Sequence, residues 1–220
     1  MLTKTREPQY GVLFEHEAER LGPMTGLAWA EDPKRLAFTA ARYLWVAKML
    51  EGSGHVLEIG CGDAFFTRIV QQAVRRVTAV DFDPMFVADV KARMSARWDF
   101  ACIEHDMRVA RFGCFDAIYA LDVLEHVDQS DEAAFLYNCA NSMLPDGTAI
   151  FGCPSLESQH LASEQSRAGH VNCQSGPDLK RLLERFFGKV RIFSMNDTVV
   201  HTGHHAMAHY RFALCEGVRC

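Results

Sequence analysis

The chain has 220 residues, 49% of them hydrophobic and 23% charged, with a formal net charge of -5. That balance excludes a disordered or fibrous chain, and the length suits one domain with a substantial core, expected over residues 1–220 with 1–50 as an N-terminal helical lid or cap and 51–220 as an α/β core. The negative field disfavours nucleic acid as a partner unless a local basic patch overrides it.

Residues Met1–Gln9 carry Lys4, Arg6 and Glu7 with no apolar stretch behind them, and the apolar window Leu36–Leu50 is broken by Arg42 and Lys48 and too short for a bilayer. A cytoplasmic location without a membrane partner is expected. The 8 cysteines are scattered with no C-x-x-C pair, which in a reducing compartment predicts small buried hydrophobes.

In chain order, Asp32–Leu50 opens on Asp-Pro and places Leu36, Ala40, Tyr43, Leu44 and Ala47 on one face, predicting a helix. The N-terminal stretch Tyr10–Ala30, with Phe14, Met24 and Trp29, is too apolar for a free tail and is expected either to cover the ligand site or to pack as a leading helix. His55–Gly60 reads as a strand, Phe65–Val74 as a helix, Arg76–Asp81 as a strand and Pro84–Ala96 as a helix. Strands follow at Phe100–Glu104 and Phe115–Leu121. Asp131–Met143 is a helix stopped by Pro145, Asp146 and Gly147, Thr148–Cys153 a buried strand and Pro177–Phe187 a helix. Strands alternating with helices imply a parallel sheet covered on both faces. Lys189–Ser194 and Ala206–Leu214 leave no room for a crossover helix and should pair antiparallel. The expected fold is thus a Rossmann-like, doubly wound, seven-stranded α/β sheet, mostly parallel, with an antiparallel C-terminal hairpin.

The strand ending in Glu58, Ile59, Gly60, Cys61, Gly62 and Asp63 needs its glycines because side chains there would hold a ligand away from the backbone. A dinucleotide fingerprint would place a third glycine where Phe65 stands, and no phosphate-binding Gly-Lys-Ser/Thr close is present. Glu58, just ahead of the first glycine, suits a ligand carrying an ammonium group, as S-adenosylmethionine does. Asp81, nineteen residues past Gly62, ends the second strand, where a carboxylate can accept both ribose hydroxyls. Asp106 follows the third strand as a candidate acceptor from an adenine amino group, with Phe82 and Met107 as apolar walls.

With these residues the sequence resembles the class I S-adenosylmethionine-dependent methyltransferase superfamily. Val56–Gly62 is similar to its first motif, Val80 and Asp81 to its second acidic position, Phe115–Ala117 and Leu121–Val127 to its fourth-strand motif, and Leu144–Gly147 to its fifth. The resemblance implies S-adenosylmethionine as cofactor, contacted by Glu58, Gly60, Cys61, Gly62, Asp63, Asp81, Phe82, Asp106, Met107 and Leu121. Ala64 departs from the family, which usually has glycine there.

Methyl transfer from a sulfonium is an in-line displacement, so holding the acceptor supplies most of the rate and a base serves only a nucleophile that keeps its proton. His126 after the fourth strand, His170 before the last helix and His201 in the final hairpin are the candidate catalytic residues. Asp122, Glu125 and His126, spaced i, i+3, i+4, together with His170 are a candidate set for a divalent cation. This pattern resembles metal-dependent small-RNA 2′-O-methyltransferases, and its Glu-His pair also occurs in ubiquinone-biosynthesis O-methyltransferases. His201, His204, His205 and His209 read as polar pocket lining rather than a metal tract.

Asp32–Arg35, Pro154–Ser158, Gly169–Asn172 and Met195–Asp197 also resemble bacterial methyltransferases of cell-surface polysaccharide and secondary-metabolite pathways. That implies a small-molecule acceptor, a hydroxyl of a sugar or nucleotide-sugar. The alternatives are an RNA ribose methyltransferase, which would need a basic stripe that 23 Lys and Arg against 28 acids do not suggest, and a binding module without catalysis.

Overall fold

A computed structural model describes Gly11 and residues 18–219; Phe14 lies outside the described residues. In chain order the main elements are α1 (Pro23–Glu31), α2 (Lys34–Met49), β1 (His55–Ile59), α3 (Thr67–Gln71), β2 (Arg76–Asp81), α4 (Pro84–Arg93), β3 (Ala101–Glu104), β4 (Phe115–Leu121), α5 (Glu132–Asn141), β5 (Met143–Pro154), α6 (Glu164–Gly169), α7 (Gly176–Leu183), β6 (Phe187–Asn196), β7 (Val199–His201) and β8 (Tyr210–Val218). They form one sheet of order β3-β2-β1-β4-β5-β8-β6-β7. β1 to β5 run parallel, and β8 enters antiparallel between β5 and β6.

β4 lies at the centre, and its inner residues are buried almost without break, as expected of a strand covered on both faces. Side chains alternate across it. Ala117, Tyr119 and Leu121 pack with Tyr43, Val46 and Phe212 on one face, while Ile118 and Ala120 pack with Leu136, Leu179 and Phe187 on the other.

The helices begin where the chain supplies caps. Asp83 accepts from the Met85 amide at 2.8 Å and Pro84 occupies the first turn of α4. Ser175 and Pro177 do the same for α7, which buries Leu179, Leu182 and Leu183.

Several elements differ from expectation. The sheet has eight strands, because β7 folds back on β6 to pair Ser194 with His201. The buried face of α2 is rotated: Val46 is fully buried and Leu44 is 58% exposed. Pro145–Gly147 are drawn into β5, where the register shifts between Phe115 and Ala117, so an irregular strand start replaces the expected stop. Between β5 and α7 the chain makes a 3₁₀ segment, Leu156–Leu161, and α6, neither of which shows in the sequence periodicity. Among the described residues no helix is long and apolar enough to cross a membrane. Cys61, Cys102, Cys139, Cys153 and Cys215 are buried free thiols, as expected of small hydrophobes, whereas Cys114 is exposed.

Candidate active site

The turn after β1 is built for close approach. Gly60 and Gly62 have φ of +69° and +52°, which favour glycine. A Cβ on Gly60 would stand 2.4 Å from Val123 Cγ2, and one on Gly62 2.7 Å from Met24 Sδ. Ala64 adopts φ +50°, so its methyl group carries left-handed backbone at a position the family usually gives to glycine. The Gly62 amide donates to Asp81 Oδ2 at 2.8 Å and the Asp83 amide to Oδ1 at 3.0 Å, which fixes the buried Asp81 carboxylate while leaving each oxygen a further lone pair.

Above this turn lies a cavity of about 390 Å³, walled by Met24, Gly60, Gly62, Asp81, Met107, Asp122, Val123 and His126 among others, with Phe82, Asp106 and Arg108 at one side. Asp81, Asp83, Asp106 and Asp122 contribute four carboxylates to its lining against the single guanidinium of Arg108. That electrostatic balance opposes a diphosphate and suits a cationic ligand. Glycines that a Cβ would block, a fixed strand-end carboxylate and apolar walls therefore fit S-adenosylmethionine.

Four of the expected cofactor contacts stand off this wall. Glu58 is buried behind the turn, accepting from Tyr43 OH at 2.7 Å and Thr67 Oγ1 at 2.5 Å, and so joins α2 and α3 to β1 instead of facing an ammonium group. Burial pushes its carboxyl up to about 7, against the opposing pull of the Thr67 and Tyr43 hydroxyls. Cys61 is buried, its sulfur 4.0 Å from that of Cys102. Leu121 is buried against Gly152. Asp63 accepts from the Thr25 amide at 2.7 Å and from Thr25 Oγ1 at 3.0 Å. Because the N-cap of α1, Gly22, has no side chain to offer, Asp63 supplies the cap from 38 residues away and fastens α1 to the glycine turn. Met24 thereby reaches the cavity.

The remaining contacts line the cavity, but not all as expected. Met107 is buried in its wall. Phe82 is 62% exposed at the mouth, with the Arg108 guanidinium 5.1 Å from its ring. Asp106 is engaged by Arg108, whose hydrogen bonds hold its carboxyl below the usual carboxylate range.

A second cavity of about 410 Å³ lies between α2, the 156–170 segment and the C-terminal strands, lined by Phe38, Arg42, Ser158, Gln159, Ser166, His170, Met195, Asp197, His209 and Tyr210 among others. The two cavities meet at two contacts. Arg42 Nη1 donates to Asp122 Oδ2 at 2.7 Å while its guanidinium lies 3.8 Å from the Tyr210 ring centroid. The rings of His126 and His170 are 5.2 Å apart. Arg42 and His170 thus belong to one cavity, Asp122 and His126 to the other.

The hydrogen bonds assign the imidazoles. His126 Nδ1 stands 2.8 Å from the Gly169 carbonyl, which only accepts, so Nδ1 carries the proton and Nε2 of the neutral ring is bare. His170 Nδ1 faces Gln159 Oε1 at 2.8 Å with the same result, and burial lowers its pKa. His201 differs: Nδ1 accepts from the Gly203 amide at 3.0 Å and Nε2 donates to Asn196 Oδ1 at 2.9 Å. With both nitrogens engaged and the ring lining neither cavity, the hairpin leaves His201 no lone pair for a base.

Of the candidate cation ligands, Glu125, His126 and His170 present ligand atoms within 4.8 Å of one another, whereas Asp122 is turned away to Arg42. Glu125 is buried, neither carboxylate oxygen has a partner among the described residues, and burial with the nearby Asp122 charge holds its carboxyl far above the usual range. Met24 falls in the N-terminal stretch expected to cover the ligand site, and it lines the cavity. Arg42 and Arg108 are among the wall residues the sequence reading did not single out; Arg42 left a signal, as a cation interrupting an apolar helix face, while Arg108 left none.

A parallel sheet ending in an antiparallel pair, a glycine turn after its first strand and an acid closing the second define the class I S-adenosylmethionine-dependent methyltransferase fold. Residues 56–147 match a family described as a methyltransferase domain. It is 24% identical over 155 residues to a ubiquinone biosynthesis O-methyltransferase of Xanthomonas oryzae pv. oryzae (strain PXO99A), covering 66% of this chain and 64% of that protein. It is 29% identical over 130 residues to nodulation protein S of Bradyrhizobium diazoefficiens (strain JCM 10833 / BCRC 13528 / IAM 13628 / NBRC 14792 / USDA 110), covering 56% and 62% respectively. The chain therefore spans slightly under two thirds of the length of these curated relatives. The crystal structure of the N-methyltransferase NodS from Bradyrhizobium japonicum WM9, in complex with S-adenosyl-L-homocysteine, superposes with a TM-score of 0.65 at 18% identity over 88% of this chain and 92% of that one.

Proposed function

We propose that this protein transfers a methyl group from S-adenosylmethionine to a hydroxyl of a small-molecule acceptor, of sugar, nucleotide-sugar or related metabolite type. One observation carries the reading: a carboxylate-lined cavity over the glycine turn abuts a second, polar cavity across the Arg42–Asp122 and His126–His170 contacts. The sulfonium supplies an activated methyl group. The chain's own residues hold the acceptor at the junction, and the bare Nε2 of His126 or His170 takes the proton a hydroxyl must lose. Ser158, Gln159, Ser166 and His209 offer hydrogen bonds to a hydroxylated ligand, and about 410 Å³ suits a small molecule.

The curated relatives named as ubiquinone biosynthesis O-methyltransferases favour oxygen as the methylated atom, whereas the N-methyltransferase NodS structure, which this chain also resembles, favours nitrogen. A screen of hydroxylated and amine acceptors for transfer of labelled methyl from S-adenosylmethionine tests the proposal. Label in a hydroxyl of a sugar or related metabolite is expected, and label confined to amines would contradict it.

A second reading has its own observation. The orphaned Glu125 carboxylate beside His126 and His170 fits a divalent cation at the junction, which would draw the acceptor oxygen toward the methyl group. Under that reading exhaustive chelation abolishes transfer and a divalent cation restores it. Transfer that persists through chelation leaves the two histidines as bases alone.

A further inference from the structure

The carboxylate just past the third strand is already engaged. Asp106 Oδ1 receives the Arg108 amide at 2.8 Å and Arg108 Nε at 3.0 Å, while Oδ2 receives Arg108 Nη2 at 2.8 Å and shares the same Nε–H at 3.2 Å. A carboxylate offers about four lone-pair sites, and three N–H groups of one residue two positions away take up most of them. Such bidentate, charge-assisted pairs are the strong ones among hydrogen bonds. The contact is partly exposed, with side-chain exposures of 37% for Arg108 and 29% for Asp106, so it lies at the cavity side and not in the core. Arg108 itself lines the cavity and places its guanidinium beside the exposed ring of Phe82.

We infer that Arg108 silences Asp106 as a reader of the adenine amino group and makes this side of the cofactor site a donor surface, so that the protein recognises the nucleoside without selecting for its 6-amino group. The inference rests on the cavity being the S-adenosylmethionine site and concerns which edge of the base it reads. An acidic side chain free at this position would accept from the amino group and oppose a carbonyl oxygen there. A guanidinium in its place has no acceptor and five N–H donors, of which the fork to Asp106 uses only part. The base is then held by its flat face, against the walls of Met107 and Phe82, rather than by its amino edge.

The test compares two ligands by calorimetry or by competition, with no need of an acceptor. One is S-adenosylhomocysteine, and the other is its analogue with the 6-amino group replaced by a carbonyl oxygen. The protein is expected to bind the two within three-fold of each other, and a preference of three-fold or more for the amino form would overturn the inference. Arg108→Ala frees the Asp106 carboxylate, and its preference for the amino form is expected to rise to ten-fold or more. A variant that stays as indifferent as the parent would show that Arg108 is not what silences Asp106. Should S-adenosylhomocysteine itself fail to bind the parent protein, the cofactor assignment falls and not merely this refinement of it.

Discussion

The two cavities meet at one wall yet are built by different physics. The cavity over the glycine turn is made of strand ends and backbone: two left-handed glycines, a carboxylate pinned by two amides, and acids within a few residues of β2, β3 and β4. The second cavity is assembled from α2 and, more than a hundred residues on, the 156–170 segment and the C-terminal strands, and at its junction with the first stands the ion pair between Arg42 and Asp122, 80 residues apart in sequence. A ligand gripped by main chain needs only the turn's backbone, which tolerates sequence change. One read by side chains needs residues brought together only in the fold.

That difference predicts separable effects. The largest belongs to Glu58, which the fold places behind the glycine turn. Its carboxyl is raised from an ordinary 4.5 to about 7, so the folded protein holds a proton that the unfolded chain has released between those values. Stability is therefore greatest below about pH 4.5 as far as this group is concerned, and falls as pH rises through the window to about 7, by on the order of 3 kcal/mol. Glu58→Gln removes that slope from the pH profile of the melting temperature. If the slope remains and cofactor binding disappears instead, Glu58 faces the ligand and the description of the turn is wrong.

Next comes Asp81. Asp81→Ala removes a carboxylate that holds the turn and lines the cavity, and it is expected to weaken S-adenosylhomocysteine binding about 10- to 100-fold, roughly 1.4–2.7 kcal/mol. Unchanged affinity would remove Asp81 from the site.

Arg42→Met cuts the wall of the second cavity while leaving the glycine turn intact. Stripping a partly exposed partner from Asp122 is expected to cost about 1 kcal/mol of stability, seen in chemical denaturation. S-adenosylhomocysteine affinity should change by less than two-fold, and a loss as large as that of Asp81→Ala would show that the halves are not separable.

The smallest effect is at the clasp between α1 and the turn. Thr25→Val keeps the amide bond to Asp63 and loses the hydroxyl bond, for about 0.5–1 kcal/mol. Hydrogen exchange of the α1 amides should quicken while the core strands stay protected, and unchanged exchange would show that the Thr25 hydroxyl bond does not help to hold α1.

The same contrast explains what was legible in the sequence. Gly60, Gly62, Asp81 and Met107 line the cavity over the turn, and their place was readable because each sits at a fixed offset from a hydrophobic strand. Glu58 and Asp63 were misjudged from that same edge. Their neighbours Tyr43, Thr67 and Thr25 come from helices whose packing no local pattern reveals. Asp122 was grouped with Glu125 and His126 by helical spacing, but the chain there is a left-handed residue followed by a 3₁₀ turn, and the carboxylate turns to Arg42. His201 lost its candidacy to a hydrogen bond from Gly203 two residues on, a detail of the loop that residue type alone does not carry. Strand β7 and the 156–170 segment escaped because three residues and helical stretches of six are too short to show a period.

The central claim is that the glycine-floored cavity takes a cationic sulfur nucleoside and not a diphosphate. Calorimetric titration with S-adenosylhomocysteine and, in parallel, with NAD tests it most directly. The account predicts saturable binding of one S-adenosylhomocysteine per chain and no heat from NAD. No binding of S-adenosylhomocysteine, or saturable binding of NAD at that cavity, would contradict it.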